Sequence, residues 1–241
     1  KFDLRVYALV TCYNPLTIYL NRTSFARFTT MRYSYNPEDL TNNYIHLTNV
    51  AVQKKSDTYD KDIGGKWDLR EMKVYLIAKF GEEKVNKMFD NIQRIIIKSF
   101  QAVQNVISKD KHCFELYGYD ILIDSELTPW LIEINGNPSL TANTQLDSDN
   151  KIKMLDDMLT ILDLEKIMTG NEDQVGGFDI ICRGSVIKNN PMCMYNTKLG
   201  GFNNREKQLK QLAKQTNARL ATLYLQKKHN VGDVNKTGQT P

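Results

Sequence analysis

The sequence predicts an α+β fold, an antiparallel sheet flanked by helices, followed by a basic helix toward the C-terminal end. Three observations carry the prediction. Residues 1–10 alternate between an apolar side (Phe2, Leu4, Val6, Ala8, Val10) and a mixed side (Lys1, Asp3, Arg5, Tyr7, Leu9), the period of a half-buried strand. Residues 114–140 read as a β-hairpin. Between these strands, and again after the hairpin, apolar residues recur at helical spacing.

Taken in order, the strand at 1–10 is followed by a second at Leu16–Leu20, entered through an Asn14-Pro15 turn, and a third at 24–29 that contains Arg27. Residues 34–43 are turn-formers. Tyr44–Val50 is a short apolar segment carrying His46, Thr48 and Asn49, and a histidine in such a setting is more often a satisfied core residue than a functional one. Residues 53–66 are polar and end in Gly64-Gly65-Lys66, the composition of a mobile loop or lid. Asp68 and Glu71 form a helix-capping pair, and that helix stops at Gly81. A longer helix follows, with Val85, Met88, Phe89, Ile92, Ile96, Phe100 and Val103 on its core face.

The hairpin comes next. With Asp124 opposite Pro129, Tyr119, Ile121 and Ile123 pair with Ile134, Ile132 and Trp130 on an apolar face that requires a core. The other face sets Asp120 against Glu133, with Asn135 two residues along. Two opposed carboxylates repel, so either water and nearby lysines screen them or a divalent cation joins them; Asp, Glu and Asn are the hard oxygen ligands Mg²⁺ takes. After the hairpin, residues 151–167 predict an amphipathic helix packed through Ile152, Leu155, Met158, Leu159 and Leu162 and stopped by Gly170. Residues 171–201 read as a loop-rich connector, 203–228 as a basic amphipathic helix, and the last dozen residues as disordered.

Composition narrows the function classes. With 241 residues, 41% hydrophobic and 25% charged, the chain can bury a core and has the make-up of an ordinary soluble protein. No apolar run is long enough to span a bilayer, and neither a nucleic-acid motif nor an internal repeat is present. The four cysteines, Cys12, Cys113, Cys182 and Cys193, and the scattered His46, His112 and His229 show no zinc or disulfide spacing, which fits a reducing, cytosolic compartment. The net charge of +4 is uneven: from Lys198 onward nine basic residues stand against Glu206 and Asp233, leaving the first 197 residues at −3. A basic tail suits an acidic partner, or is simply a solvated helix.

Four ordered motifs carry a resemblance: Lys1-Phe2-Asp3-Leu4-Arg5, His46-Leu47-Thr48-Asn49, Gly118-Tyr119-Asp120-Ile121-Leu122, and Trp130-Leu131-Ile132-Glu133-Ile134-Asn135 with Pro138-Ser139-Leu140. Together they resemble the tubulin tyrosine ligase-like family, whose fold is ATP-grasp. The resemblance implies that 1–178 is the C-terminal part of an ATP-grasp ligase domain, 179–202 a connector, and 203–241 the basic helix and flexible tail. It also implies that the N-terminal half of such a domain, with its adenine-binding lysines, precedes Lys1.

By position, the resemblance makes Asp120, Glu133 and Asn135 the Mg²⁺ ligands. Arg5 faces the ATP γ-phosphate, and Lys1, Asp3, Arg27, His46, Thr48 and Asn49 are further nucleotide contacts, Asp3 at the ribose. For His46 this favours the functional reading over the structural one. After Asn135, Gly136-Asn137-Pro138-Ser139 stands where the family often has Ala-Ser-Pro-Ser. The implied function is tubulin polyglutamylation: ATP- and Mg²⁺-dependent ligation of free glutamate onto glutamate side chains of tubulin through an acyl-phosphate. Arg5 and Glu133 are then catalytic, microtubules the partner, accessory subunits possible, and the cytoskeleton of a cilium or flagellum (axoneme, basal body) the location. Two alternatives stay open: a non-catalytic microtubule-associated member, and the same chemistry with glycine or tyrosine as donor.

Overall fold

The computed structural model describes residues 1–60, 65–107, 110, 113–187 and 197–234, with side chains of the last helix described to residue 222. The expectations that fall on Gly64, His112, Cys193, the side chains of 223–228 and the tail beyond residue 234 lie outside these described residues or side chains. The architecture is the predicted one, an open antiparallel sheet with helices on its faces.

The sheet is built on strand β1, Phe2–Tyr13. One edge of β1 pairs along its length with β5, Glu115–Ile123, which pairs in turn with β6, Pro129–Asn135. The other edge is shared: β3, Phe25–Phe28, takes residues 2–5 and carries β4, Lys66–Asp68, while β2, Leu16–Asn21, takes residues 8–13 and carries β8, Phe178–Arg183. The short strands β7, Gln174–Val175, and β9, Ser185–Val186, pair with β8.

Helices α3, Leu69–Phe80, and α4, Glu82–Val103, cover one face. The main core lies there, with Leu4, Val6, Ala8 and Val10 packed with Met88, Phe89, Ile92 and Ile96, all on the predicted helix face. Asp68 caps α3 as expected, accepting from the Arg70 N–H at 2.8 Å, and Gly81 ends it at φ 89°. Helix α5, Gln145–Leu162, covers the opposite face, where Tyr7, Leu9, Tyr19, Phe178 and Ile180 form a second cluster with Met154. β1 is therefore buried on both faces, not half-buried as its alternation suggested, because helices flank the sheet on either side.

Four further expectations are corrected. Residues 171–201 do not form a plain loop: Phe178–Arg183 is a buried strand, and the sheet extends to Val186. Helix α5 begins six residues before Lys151, because Thr144 accepts from the Asp147 N–H at 3.2 Å and caps it. Its fully buried positions include Lys151, Met154 and Asp157, the charges among them paired; of the predicted stripe Met158 packs on the second cluster, whereas Ile152 and Leu159 are exposed. The segment 44–50, read only as a short apolar stretch, lies in two short helices, α1, Asn43–His46, and α2, Val50–Gln53, joined through Leu47-Thr48-Asn49.

The fourth correction is in the hairpin. Tyr119↔Ile134 and Asp120↔Glu133 pair as predicted, but a β-bulge then shifts the register, so Ile121 faces Leu131 and Ile123 faces Pro129. Asp124 organises the turn, accepting from the N–H groups of Glu126 and Thr128 and from Trp130 Nε1. Tyr119 and Ile121 enter the core, whereas Trp130 and Ile132, expected on the same buried face, are 56% and 59% exposed on the outer strand.

The last helix, α6, Arg205–Val234, starts from a buried charge network. Arg22 bonds Asp179 at 2.5 Å, Asn204 Oδ1 at 2.6 Å and the Gly176 carbonyl at 3.0 Å. Asp157, 1% exposed, accepts from the Gly177 N–H at 2.7 Å and from Arg205 Nε at 2.8 Å. Gly176, at φ +56°, leaves no room: a Cβ there falls inside the Asp157 carboxylate. Gly170, at φ +79°, faces open space. Gly176→Ala therefore breaks a buried pair and should cost about 3–5 kcal/mol by chemical denaturation, whereas Gly170→Ala should cost only the left-handed penalty of about 1–2 kcal/mol.

Candidate active site

Antiparallel pairing assembles the site from alternate positions of β1. Asp3, Arg5 and Tyr7 share one face, and register puts Arg27 of β3 opposite Asp3 and Asp120 of β5 opposite Arg5. The four charges close into a lattice. Arg5 grips Asp120 in bidentate fashion, Nε to Oδ1 at 2.5 Å and Nη2 to Oδ2 at 2.9 Å. Arg27 grips Asp3 the same way and reaches across to Asp120 Oδ2 at 2.9 Å. Asp3, Arg5 and Asp120 are all less than a tenth exposed, so the lattice survives only because every charge in it has a partner. Gly118 makes room for it: a Cβ there would lie 2.8 Å from Pro138 Cβ and 3.3 Å from Arg5 Cδ.

Burial pushes the Asp120 carboxyl upward, but the Arg5 hydrogen bonds and the charges of Arg27 and Arg5 outweigh it and hold the group below its usual range. Both guanidinium groups are buried too, yet their carboxylate partners raise them.

At the edge of the lattice the hairpin contributes Glu133, exposed and directly opposite Asp120, and Asn135, whose Nδ2 donates to Glu133 Oε1 at 3.1 Å and to the Gly118 carbonyl at 3.3 Å. This donor set fits a hard cation. Three of the four acceptor positions of Asp120 are taken by arginine, leaving one; Glu133 keeps an unshared oxygen and Asn135 an unshared amide oxygen.

A cleft of about 410 Å³ opens beside the lattice, lined by Arg5, Arg27, Asn49, Lys54, Lys66 and Lys151 among others. Asn49 also caps α2, accepting from the Ala51 N–H at 2.9 Å. Lys1 lies instead on a neighbouring cleft with Tyr33 and Tyr35. His46 holds the α1 loop together: Nε2 bonds the Asp39 carbonyl at 3.0 Å, which assigns it the proton, and Tyr33 stacks edge-on at 5.7 Å. Thr48, half-buried, lies in the turn between α1 and α2. Of the predicted residues, Asp3, Arg5, Arg27, Asp120, Glu133 and Asn135 thus share one face, Asn49 faces their cleft, and Lys1 and His46 stand apart from it.

Sequence reasoning missed Lys66, Asp147, Lys151 and Tyr7. Lys66 sits opposite Arg27 on β4, and Asp147 on the first turn of α5 binds Lys66 at 2.7 Å and Lys151 at 3.2 Å. The available signals were the Gly-Gly-Lys ending of the polar loop and the i, i+4 spacing of Asp147 and Lys151.

With this geometry in hand, the comparisons with known proteins are specific. Residues 1–173 match the tubulin-tyrosine ligase family. This chain belongs to that family. It is 48% identical over 221 residues to the rat protein named "Probable tubulin polyglutamylase TTLL9", covering 88% of this chain and 48% of the relative. It is 46% identical over 190 residues to the Tetrahymena thermophila "Probable alpha-tubulin polyglutamylase Ttll1", covering 75% of this chain and 46% of that one. Human "Tubulin polyglutamylase TTLL5" is 39% identical over 177 residues. The chain spans about half the length of the first two. The tubulin-tyrosine ligase family match takes in β1 to α5, while β8, which completes the sheet, lies beyond it.

The Asp120 contribution to stability has a definite sign. Its folded pKa is lowered, so the contribution is complete above the unfolded value near 3.8 and is lost as pH falls through the folded value. Asp120→Ala strands Arg5, takes from Arg27 one of its two carboxylate partners, and should lower unfolding free energy by about 3–5 kcal/mol at pH 7. The gap between variant and wild type should narrow as pH falls below 3.8, read by urea titration at successive pH values.

Proposed function

We propose that this chain is the C-terminal part of an ATP-grasp ligase that joins free glutamate to glutamate side chains of tubulin. The observation that carries the reading is the Arg5–Asp120–Arg27–Asp3 lattice with Glu133 and Asn135 at its open edge, on a chain of the tubulin-tyrosine ligase family whose relatives bear polyglutamylase names. Packing alone requires no buried four-charge array, and such arrays tend to be no more stable than apolar replacements.

The acceptor γ-carboxylate attacks the γ-phosphorus of ATP and ADP leaves; the amine of the incoming glutamate then attacks the carbonyl carbon of the acyl-phosphate, the amide forms, and inorganic phosphate and a proton leave. No covalent nucleophile is needed from the protein. It must align two anions and offset charge that builds on the phosphate oxygens. Arg5 uses Nε and Nη2 on Asp120, which fixes its plane and leaves Nη1 for a phosphate oxygen. Arg27 and Asp3 hold that geometry from behind, and Asn49 and Lys54 line the same cleft. Mg²⁺, where held by Asp120, Glu133 and Asn135, supplies neutralisation of the phosphate charge. Lys1, His46 and Thr48 belong to the nucleotide site only if the intact protein brings the α1 loop and the Lys1 cleft toward it.

Glu133 is exposed and outside the buried pairs, so its substitution separates chemistry from folding. In the intact protein, Glu133→Gln should keep the wild-type melting temperature and lower incorporation of labelled glutamate into tubulin by about 10²–10³-fold. Wild-type rates would remove the assignment. ATP binding without turnover in the wild type would instead favour a non-catalytic microtubule-associated role, and competition among glutamate, glycine and tyrosine identifies the donor.

The reading also assigns the basic helix to the acidic surface of microtubules, in the cytoplasm and at the cilium or flagellum. Lys207, Lys210 and Lys214 are exposed along α6, while Arg219 is committed to the carbonyls of Ile167 and Met168. Replacing the three lysines by glutamate should weaken microtubule co-sedimentation and flatten its salt dependence, since exposed charges are screened over about 8–10 Å near physiological ionic strength. Unchanged co-sedimentation would remove the helix from the interface.

A further inference from the structure

Gly118 is a glycine that its backbone does not require. It lies inside β5 with no positive φ, a conformation open to any side chain. What it supplies is room. It stands two residues before Asp120 on the cleft face, paired with Tyr7 of β1 on one side and Asn135 of β6 on the other. A Cβ at Gly118 would meet Pro138 Cβ at 2.8 Å, Arg5 Cδ at 3.3 Å and Arg5 Nη1 at 3.4 Å. The Gly118 carbonyl meanwhile accepts from Asn135 Nδ2 at 3.3 Å.

Pro138 fills the space that the missing side chain leaves. It is the one buried residue of 136–142; the six around it are exposed. This segment runs from Asn135 at the end of β6 to the Thr144 cap of α5, and it lines the Arg5–Arg27 cleft through Ser139 and Thr141. Its two ends are tied, Asn135 to Gly118 and Glu133, and the Thr141 carbonyl to Lys151 Nζ at 2.6 Å. Between those ties Pro138 is where the segment enters the fold, and its ring, with φ already fixed, gives up little freedom in doing so.

We infer that Pro138, seated in the gap at Gly118, is a positioning residue for the ligase site, holding the Asn135–Thr141 loop over the cleft and the Arg5 side chain in its plane. Shape carries the assignment. Asn135 and Arg5 both rest on Gly118, so a displacement at this seat reaches the candidate Mg²⁺ ligand and the guanidinium edge left for a phosphate oxygen together. Pro138 itself touches neither ligand. Losing a group that orients ligands in this way changes metal affinity or activity by about 10–100-fold.

The inference rests on the ligase reading, and measurements on the intact protein keep the two apart. Pro138→Gly empties the seat. It should raise the Kd for Mg²⁺·ATP, read by calorimetry, by about tenfold, and speed hydrogen exchange of the 136–142 amides by about tenfold while those of α4 stay unchanged. Asn137→Gly, which loosens the exposed chain without emptying the seat, should do neither. Gly118→Ala crowds the seat and should lower kcat by about tenfold or more, since small misplacements of aligned groups are costly. Adding Pro138→Gly to Gly118→Ala relieves the crowding and should restore at least about fivefold of that loss, the non-additivity expected of residues in contact. Losses that add or multiply in the double variant, an Asn137→Gly that reproduces Pro138→Gly, or a folded Pro138→Gly with wild-type Kd overturns the inference. If Gly118→Ala does not fold, the comparison of Pro138→Gly with Asn137→Gly decides. Where the wild type binds Mg²⁺·ATP without ligating, Kd and exchange still decide; a wild type that binds none removes the ligase reading and this inference with it.

Discussion

The bidentate Arg5–Asp120 pair is the constraint around which the molecule is arranged. β1 is hydrogen-bonded on both edges and packed on both faces, so any charge on it must be neutralised within the sheet. Asp3 and Arg5 meet that demand through β3 and β5, and only an antiparallel register of these three strands can put the four charges together. The pair fixes more than energy. It ties register to function, because a one-residue slip would turn Asp120 toward the main core and Tyr119 or Ile121 toward the cleft. A buried charge array of this kind is a poor source of net stability and a strong source of specificity against wrong pairings, since each alternative leaves an ion unpaired in the interior.

The second face of the sheet shows how the C-terminal elements come to matter for a site made by the N-terminal strands. Helix α5 enters through Thr144, and its first turn delivers Asp147 and Lys151 to the cleft. Two turns later the same inward face carries Asp157, clamped by Arg205 and the Gly177 N–H, with Arg22 and Asp179 adjoining through Gly176. One helix thus joins the cleft to the start of α6, and β8 lies under it as an interior strand. The position of Lys151 therefore depends on a network more than one helical turn away. That the sheet needs β8 explains why it continues past the end of the family match at residue 173.

Much of this was legible in the sequence, and the boundary has a physical cause. The α+β class, β1, β2, β3, both helices of the main core, and the Asp120–Glu133 pairing followed from period and from turn residues, which are local properties. The Arg5–Asp120 contact did not: strand alternation gives faces, but the partner of a strand is a tertiary choice. α5 was turned on its axis because its inward face mixes Met154 with Lys151 and Asp157, whose burial is made tolerable by partners distant in sequence. β8 was hidden by the Gly176-Gly177 pair before it and by Asp179 within an otherwise apolar run, and Asp179 is neutralised by Arg22, far away in the chain. The bulge at Ile132 was invisible because a bulge changes the count of residues on one strand without changing their type.

The two charge clusters differ in kind. The arginine lattice is neutral as a unit and rigid, with planar forks fixed on carboxylates; it can present an unused N–H edge to a phosphate without adding a strong field of its own. The lysine cluster carries an excess charge on flexible ammonium groups, one of them lowered in pKa because burial outweighs what Asp147 restores. Asp68 and Glu71 line the same cavity as the lysines, so its charges alternate in sign, whereas the cleft beside the arginines is lined by cations without a carboxylate. Phe25, Lys66 and Lys151 line both openings, so a displacement of β4 or of the first turns of α5 alters the two together.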